Sequence, residues 1–234
     1  MRVGLVSHRV ASASPLSTYA PVSRILITSG PTREYLDPVR YLSNASSGRM
    51  GRALAAAALA AGHEVVIVSG PVQVEYPSSA RVLRVVSTEE MLRACQAEFP
   101  ACDGVIGAAA PCDYRPEQPA AQKIAKSGGP WDLRLVETPD VLSALAAMKG
   151  PRWMVAFALE TGDRHARALE KLRRKRCDLI VVNGPAAIHA HDTQVEVLDG
   201  EGRVLAFLSG TKEEVARALF RILDERLIRG VAGG

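Results

Sequence analysis

A short apolar run, a long polar loop and a helix-forming run follow one another within residues 25–51 and just beyond them. The β-branched residues 25–27 predict a buried strand. Residues 52–61 are rich in alanine and leucine and predict a helix, with Ser46 or Ser47 as its N-cap. Strand, loop and helix in this order are typical of nucleotide-binding α/β domains.

The loop between this strand and helix is about twenty residues long, whereas a dinucleotide-binding fold turns within a few residues. Long loops in compact domains are usually functional. Free N–H groups at a helix start bind anions, and Gly48 would let a phosphate approach the backbone. An ordinary helix start is the alternative, but Arg40 and Asn44 in the same loop favour phosphate or carboxylate binding.

The rest of the chain alternates between apolar strands and helices. We predict strands at 64–69, 82–86, 103–110, 154–159 and 178–182, helices at 88–98, 139–149, 163–176 and 211–228, and a terminal hairpin at 195–198 and 204–208. This order predicts an α/β fold, Rossmann-like and doubly wound, whose mostly parallel sheet carries a C-terminal antiparallel hairpin. We expect a single domain over 24–234, preceded by a disordered or extended tail at 1–23.

Residues 111–130 interrupt the alternation because they are rich in proline and glycine. Residues 131–136 then alternate like an exposed strand. We interpret the region as a protruding arm or flap that leaves the edge of the sheet.

Composition excludes several classes of function. An apolar fraction of 47% suffices for a core, yet no apolar run reaches the length of a membrane span. The four cysteines lack C-x-x-C spacing, which favours a reduced cytoplasmic protein over a disulfide framework or a zinc site. Lysines and arginines cluster at 171–176, but without an aromatic platform for bases, so small anionic substrates fit the charge better than nucleic acid.

Further candidate residues follow the predicted central strand. Ligands of open α/β sheets bind at the carboxyl ends of such strands, where Ala108–Ala110 and Asp113 lie. Asp113 either caps a turn or binds a ribose or Mg²⁺. Lys123 and Lys126, in the flexible segment, are either solvated or close over a triphosphate.

Lys171 and Lys175 share a helix face at i, i+4, so they either form a solvated basic surface or meet an anion. Phe157 is most simply a core residue. The sequence contains no Walker A motif and gives no argument for a Ser/His/Asp triad.

Taken together, seven blocks in order resemble the phosphopantothenoylcysteine synthetase family, over about residues 23–227. They are SGPTREYLDPVRYLSNASSGRMG, AAAPCDYRP, Lys123-Ile124, LVETPDVL, AFALET, KLRRKRCDLIVVN and SGTKEEVA. The resemblance implies a coenzyme A biosynthetic ligase. The carboxylate of 4′-phosphopantothenate attacks the α-phosphorus of CTP (ATP is possible), and cysteine then displaces CMP from the acyl-cytidylate. It also implies Mg²⁺ and no flavin.

The resemblance assigns roles by position. Asn44 and Lys123 match catalytic positions, and Asp113 is the tentative Mg²⁺ ligand. The positions that would bind substrate or nucleotide are Gly30, Thr32, Arg40, Ser47, Gly48, Met50, Ala108, Ala109, Ala110, Asp113, Lys126, Pro139, Asp140, Val141, Leu142, Phe157, Lys171 and Lys175. The family is dimeric, and a flap strand reaches across the interface, so we expect a homodimer.

Two features depart from the family pattern. Bacterial members commonly carry Lys-x-Lys-Lys at the flap, where this chain has Ala125 between Ile124 and Lys126. Residues 1–23 are also too few for the flavin-dependent decarboxylase that often precedes the domain. We therefore expect a separate decarboxylase partner or a divergent paralogue.

Three alternatives stay open. A nucleotide-binding regulatory paralogue without catalysis is supported by Ala125 and would bind nucleotide without turnover. An NAD(P)-dependent oxidoreductase lacks the tight G-x-G-x-x-G turn after the first strand. A nucleic-acid-binding module would bind DNA in a salt-dependent way.

Overall fold

The computed structural model describes residues 22–159, 164–183 and 192–230. Twelve strands occur in this part of the chain: β1 Arg24–Ser29, β2 Arg33–Tyr35, β3 Tyr41–Ser43, β4 Glu64–Ser69, β5 Arg81–Arg84, β6 Gly104–Gly107, β7 Tyr114–Pro116, β8 Leu135–Glu137, β9 Trp153–Leu159, β10 Leu179–Asn183, β11 Asp192–Asp199 and β12 Val204–Thr211. The helices are α1 Arg49–Ala60, α2 Thr88–Glu98, α3 Val141–Ala147, α4 Arg164–Arg174 and α5 Lys212–Leu223. A 3₁₀ turn, Phe99–Ala101, follows α2, and a π-helical turn, Asp224–Ile228, follows α5.

Eight of the described strands form one sheet in the order β12-β11-β10-β9-β6-β1-β4-β5. The six strands from β10 to β5 are parallel, whereas β11 and β12 are antiparallel. The predicted doubly wound, mostly parallel sheet with a C-terminal hairpin is confirmed. Because β4 adds on one side of β1 and β6 on the other, the strand order reverses between β1 and β6, where ligands bind in such sheets.

Helices cover both faces of the sheet. One face packs α1 and α5 over residues such as Ile27, Ile67 and Val155. The other packs α2, α3 and α4 over residues such as Leu26 and Met154. Continuous apolar strands are therefore buried on both faces, as a central parallel sheet requires.

The N-cap prediction for α1 is wrong. Gly48, not Ser46 or Ser47, occupies the N-cap, in a left-handed conformation with φ 75°, and no side chain caps the first turn. A Cβ at Gly48 would come within 2.9 Å of Val72 Cγ1, so both the dihedral angle and the space favour glycine. The helix consequently begins at Arg49, earlier than predicted.

The long loop contains a hairpin that the sequence did not reveal. Strands β2 and β3 pair antiparallel around a turn built on Asp37. Its Oδ1 accepts hydrogen bonds from the N–H groups of Val39 and Arg40, both at 2.9 Å, and its Oδ2 accepts one from Arg40 Nε at 2.9 Å. These contacts order the loop.

The prediction that the flap leaves the edge of the sheet is wrong. It begins after β6, in the middle of the sheet, and β7 and β8 pair antiparallel at its base. Ala120 N donates to Leu36 O at 2.9 Å, and Arg40 Nη2 donates to Ile124 O at 2.7 Å. The flap therefore lies against the β2–β3 hairpin, and of the predicted strand 131–136 only its end belongs to β8.

Some predictions fall outside the described residues: most of the tail, residues 1–21, and the Glu160–Thr161 end of the AFALET block. The division of the chain at residue 23 stays a prediction. Within the described ranges, no helix is long and apolar enough to span a membrane.

Gly51→Ala tests the close packing of α1 on β1. Replacing a helical glycine by alanine normally stabilises a protein by about 0.5–1 kcal/mol. Here the new Cβ would lie 2.1 Å from Ser29 Oγ, so we expect a loss of about 1–3 kcal/mol in urea unfolding. Gly129→Ala is the control, since nothing lies within 4 Å of its Cβ position. A stability gain in Gly51→Ala would contradict the packing described.

Candidate functional site at the strand-order reversal

Two cavities adjoin at the carboxyl edge of the sheet where the strand order reverses. The first, the Asp140 cavity, has a volume of about 390 Å³ and lies beside the start of α3. The second, the α1 cavity, has a volume of about 500 Å³ and lies beside the start of α1. Both are lined by the same five residues: Ala109, Pro111, Asp113, Phe157 and Lys175.

Small residues keep the end of β6 open. A Cβ at Gly107 would come within 2.5 Å of Leu142 Cδ1, at the wall of the Asp140 cavity. The segment Ala108–Ala110 then runs beside β1, because Ala109 N donates to Thr28 Oγ1 at 3.2 Å and Ala110 N to Gly30 O at 2.9 Å. The small residues after β6 therefore let neighbouring segments approach closely.

Asn44 connects the loop before α1 to the segment after β6. Its Nδ2 donates to the carbonyl oxygens of Pro111 at 2.9 Å and Ala110 at 3.3 Å. The side chain is exposed and lines the α1 cavity together with Ser47, Gly48 and Met50. The amide is thereby held at the edge of the α1 cavity, with Nδ2 bonded to two backbone carbonyls.

Asp140 and Lys175 form the charged pair of the Asp140 cavity. Asp140 is the N-cap of α3, since its Oδ1 accepts from Ser143 N at 3.1 Å. Lys175 Nζ lies 3.1 Å from Asp140 Oδ2, and Arg174 Nη2 lies at 3.7 Å. Burial acts to raise the pKa of Asp140, but Lys175 and Ser143 outweigh it and hold the pKa below its usual value.

Most of the candidate residues line these cavities. The set comprises Asn44, Ser47, Gly48, Met50, Ala108, Ala109, Ala110, Asp113, Pro139, Asp140, Val141, Leu142, Phe157, Lys171 and Lys175.

Five others do not line either cavity. Thr32 is buried, and its Oγ1 accepts from Cys112 N at 2.8 Å and bonds to Thr88 Oγ1. Gly30 shapes the end of β1, and Arg40 binds Asp37 and the flap. Lys123 and Lys126 are exposed on the flap.

The structure adds three polar residues that sequence reasoning missed: Asn183, Thr193 and Lys212, all lining the α1 cavity. Lys212 lies inside the SGTKEEVA block, directly after the capping residue Thr211, and that position was the available signal. Burial and the charge of Arg49 lower the pKa of Lys212, against the opposing effect of Glu213.

The site offers little to a metal beyond carboxylate oxygen. In the described ranges, no three His, Cys, Asp or Glu residues cluster as metal ligands would. Asp113 is exposed and lines both cavities.

The cysteines are free and buried. Burial raises the pKa of Cys95 and Cys177 to about 12 and that of Cys102 to about 11, and it also raises the pKa of Cys112. Burial thus favours the protonated thiol at all four positions.

Residues 21–227 match the family described as the DNA/pantothenate metabolism flavoprotein C-terminal domain. The chain belongs to this family. The family resemblance drawn from the sequence blocks is thereby confirmed.

Among curated relatives of this domain, the bifunctional coenzyme A biosynthesis protein CoaBC of Vibrio parahaemolyticus is 38% identical over 208 residues, covering 86% of this chain and 51% of the relative. CoaBC of Escherichia coli K12 is 42% identical over 183 residues, 76% of this chain and 45% of the relative. A protein named cysteine/cysteine sulfinic acid decarboxylase, from an unknown prokaryotic organism, is 42% identical over 205 residues, 85% of this chain and 57% of the relative. The chain thus spans about half the length of these relatives.

Two solved structures superpose on this chain. The C-terminal domain of a CoaBC protein superposes with a TM-score of 0.76 at 36% identity, covering 88% of this chain and 95% of that chain. A Cab2 mutant in complex with phosphopantothenate-cysteine superposes with a TM-score of 0.73 over 90% of this chain and 88% of that chain. Its 17% identity shows the fold alone.

Lys175→Met tests the Asp140 pair through the pH dependence of stability. Because the pKa of Asp140 is depressed on folding, its contribution is present above the unfolded pKa of about 3.9 and is lost as pH falls through the folded value. We expect Lys175→Met to be less stable than the wild type in urea at neutral pH, with the difference narrowing below about pH 4.

Arg93→Met is the control, since it breaks the exposed pair of Arg93 with Glu89 instead. A Lys175→Met difference that stays constant down to low pH would show that Lys175 does not depress the pKa of Asp140.

Proposed function

We propose that this chain is a ligase of coenzyme A biosynthesis that joins 4′-phosphopantothenate to cysteine through an acyl-nucleotidylate, with CTP as the preferred nucleotide and ATP as the alternative. The observation that carries the proposal is the pair of adjoining cavities, because it offers neighbouring places for a nucleotide and an acyl substrate. The CoaBC relatives, which are named for coenzyme A biosynthesis, support the pathway.

In this proposal the nucleotide occupies the Asp140 cavity. Phe157 and the segment Ala108–Ala110, of which Ala109 lines this cavity, contact the base, and the residues at the start of α3 enclose it. Lys175 Nζ already lies 3.1 Å from Asp140 Oδ2, so it can turn to a phosphate oxygen by exchanging one partly buried ion pair for another. Lys171, which lines the α1 cavity, adds positive charge on the same side.

The first step forms one bond and breaks one. A carboxylate oxygen of phosphopantothenate attacks the α-phosphorus, the bond from that phosphorus to the bridging oxygen breaks, and pyrophosphate leaves with the electron pair. Asn44 Nδ2 would give up its longer bond, to Ala110 O, and donate instead to the carboxylate and then to the acyl oxygen, while its bond to Pro111 O holds the amide in place. Lys123 would stabilise the charge that passes to pyrophosphate.

In the second step, the cysteine amine attacks the acyl carbon, loses a proton and displaces the nucleoside monophosphate. Activation is needed because a free carboxylate is a poor electrophile. Neither step changes an oxidation state, so the proposed reaction needs no flavin.

A Mg²⁺ ion fits the residues present. Mg²⁺ is usually bound by one or two carboxylates together with substrate phosphates and water. Asp113, exposed at the wall that both cavities share, could supply such a carboxylate. The ion would offset the negative charge of the triphosphate.

Pyrophosphate release tests the proposal, in the presence of Mg²⁺, phosphopantothenate and cysteine, with CTP and ATP in parallel. We expect pyrophosphate to be released only when phosphopantothenate is present. Asn44→Ala should lower kcat by about 100-fold, as loss of one oriented donor does, with nucleotide binding retained. Gln96→Ala, which removes an exposed amide from α2, is the control and should match the wild type.

Other results would point elsewhere. Nucleotide binding without any release would favour the regulatory paralogue. Carbon dioxide release from cysteine sulfinic acid would instead favour the activity for which the relative cysteine/cysteine sulfinic acid decarboxylase is named. Full turnover in Asn44→Ala would refute the role of that residue.

We also propose that the protein is a cytoplasmic homodimer whose flap acts on the partner's site, and that its product passes to a decarboxylase. Lys123 lies outside both cavities, and the flap is bound to the hairpin of its own chain through Ile124 and Arg40. The hairpin and the flap expose the aromatic side chains of Tyr35, Tyr41 and Trp131, which a second copy could cover.

Subunit mixing tests the flap. Asn44→Ala and Lys123→Ala should each be nearly inactive alone. If the flap acts across a two-fold interface, an equal mixture regains about a quarter of wild-type activity, because half the dimers are mixed and each mixed dimer has one intact site. Mixing Asn44→Ala with itself is the control. No recovery from subunits shown to exchange would place the flap on its own site.

A further inference from the structure

The flap carries Lys123, and few contacts connect this part of the flap to the rest of the protein. In the described part of the chain, Ile124 is the one residue of 121–130 that hydrogen-bonds to another segment. It is also the one residue of 121–130 that is half-buried rather than exposed. The backbone position of Lys123 therefore depends on how Ile124 is held.

An ion pair on the β2–β3 hairpin binds both backbone groups of Ile124. Asp37 Oδ2 accepts a hydrogen bond from Ile124 N at 3.2 Å, and Arg40 Nη2 donates one to Ile124 O at 2.7 Å. Arg40 Nε donates to the same oxygen of Asp37 at 2.9 Å, so the two hairpin residues orient each other. We call the contacts that join Asp37, Arg40 and Ile124 the flap dock.

Arg40 also contacts the flap beyond Ile124. Its guanidinium lies over the ring of Trp131, with Cζ 5.0 Å from the ring centroid. Arginine commonly forms such cation–π contacts with tryptophan. The hairpin thus holds the flap at two points, one on either side of the glycine-containing segment 127–130.

The carboxylate of Asp37 is buried but surrounded by donors, since the residue is only 1% exposed. Burial acts to raise the pKa of Asp37, but Arg40 and the N–H groups of Val39, Arg40 and Ile124 outweigh it and hold the pKa well below its usual range. Asp37 is therefore ionised at neutral pH. Hydrogen bonds to an ionised acceptor are stronger than those to a neutral one, so its bond to Ile124 N–H is of the stronger kind.

We propose that Asp37 and Arg40 are positioning residues for Lys123, because the flap dock fixes the backbone next to that lysine and leaves its side chain free. The inference rests on the proposed function for the role of Lys123. Holding a catalytic group near its working position reduces the entropy lost when the group meets the substrate. The dock lies within one chain, so it acts on Lys123 whether the flap serves its own site or the site of a second copy.

Trypsin tests the flap dock without any substrate. The Lys123–Ile124 bond is open to trypsin only when the dock opens, so the cleavage rate reports how often it does. Asp37→Asn removes the charge that holds Arg40 and Ile124, and cleavage after Lys123 should become about 10-fold faster. Arg40→Lys keeps a positive charge but loses the planar fork that reaches Asp37 and Ile124 together, so it should also speed cleavage.

Two controls accompany the tryptic test. Glu117→Gln breaks only the exposed ion pair of Glu117 with Arg134 on the flap, so cleavage after Lys123 should match the wild type. Cleavage after Arg33, which lies in β2, shows whether the hairpin itself has unfolded. It should stay at the wild-type rate in Arg40→Lys, even if Asp37→Asn also loosens the turn.

A double-mutant cycle tests whether Asp37 acts through Lys123. Asp37→Asn should lower kcat for pyrophosphate release by about 10-fold, with calorimetric affinity for phosphopantothenate unchanged, since Asp37 lines neither cavity. In a Lys123→Ala background, the same substitution should change the residual kcat by less than about twofold, because the lysine that it positions is gone. Equal losses in both backgrounds would show that Asp37 supports the site in another way and would overturn the proposal.

The two experiments separate this inference from the proposed function. Wild-type cleavage rates after Lys123 in both Asp37→Asn and Arg40→Lys would overturn the flap dock, whatever the enzyme catalyses. If the wild type releases no pyrophosphate, the proposed function fails, and the tryptic test alone decides whether the dock holds the backbone at Lys123.

Discussion

The site depends on how closely α1 begins against the end of β1. Ser29 is fully buried, its Oγ donates to Gly48 O at 3.3 Å, and it accepts from Tyr76 OH at 2.9 Å. The helix lies so close to the strand that there is no space for a side chain at Gly51. Because the helix starts there, its N–H groups face the carboxyl edge of the sheet, where the two cavities adjoin.

The two cavities around this contact differ in their charged side chains. Asp140 and Lys175 balance each other across the Asp140 cavity. In the α1 cavity, Lys212 and Arg49 are both cationic and the nearby carboxylate of Glu213 is engaged with Arg52. Burial and the charge of Arg49 lower the pKa of Lys212, whereas the charge of Glu213 opposes them.

The sequence predicted the sheet class, the central strands and the capped starts of α2 and α5, because these depend on local periodicity and on neighbouring residues. It misplaced the N-cap of α1, since the choice of Gly48 depends on Val72, which is distant in sequence. The β2–β3 hairpin was not predicted, because its strands are only three residues long. Lys212 was not predicted as a site residue, because its burial depends on the packing of α5 beside α1, which is far away in the chain.

The four buried thiols matter to a protein that would work with free cysteine as a substrate. Thiol–disulfide exchange needs an accessible thiolate on one partner. With their pKa values raised and their sulfurs inside the core, the protein's own cysteines offer none at neutral pH. Even Cys112, which lines the Asp140 cavity, is 5% exposed. A small thiol or disulfide that enters the cleft would therefore meet no accessible thiolate of the protein.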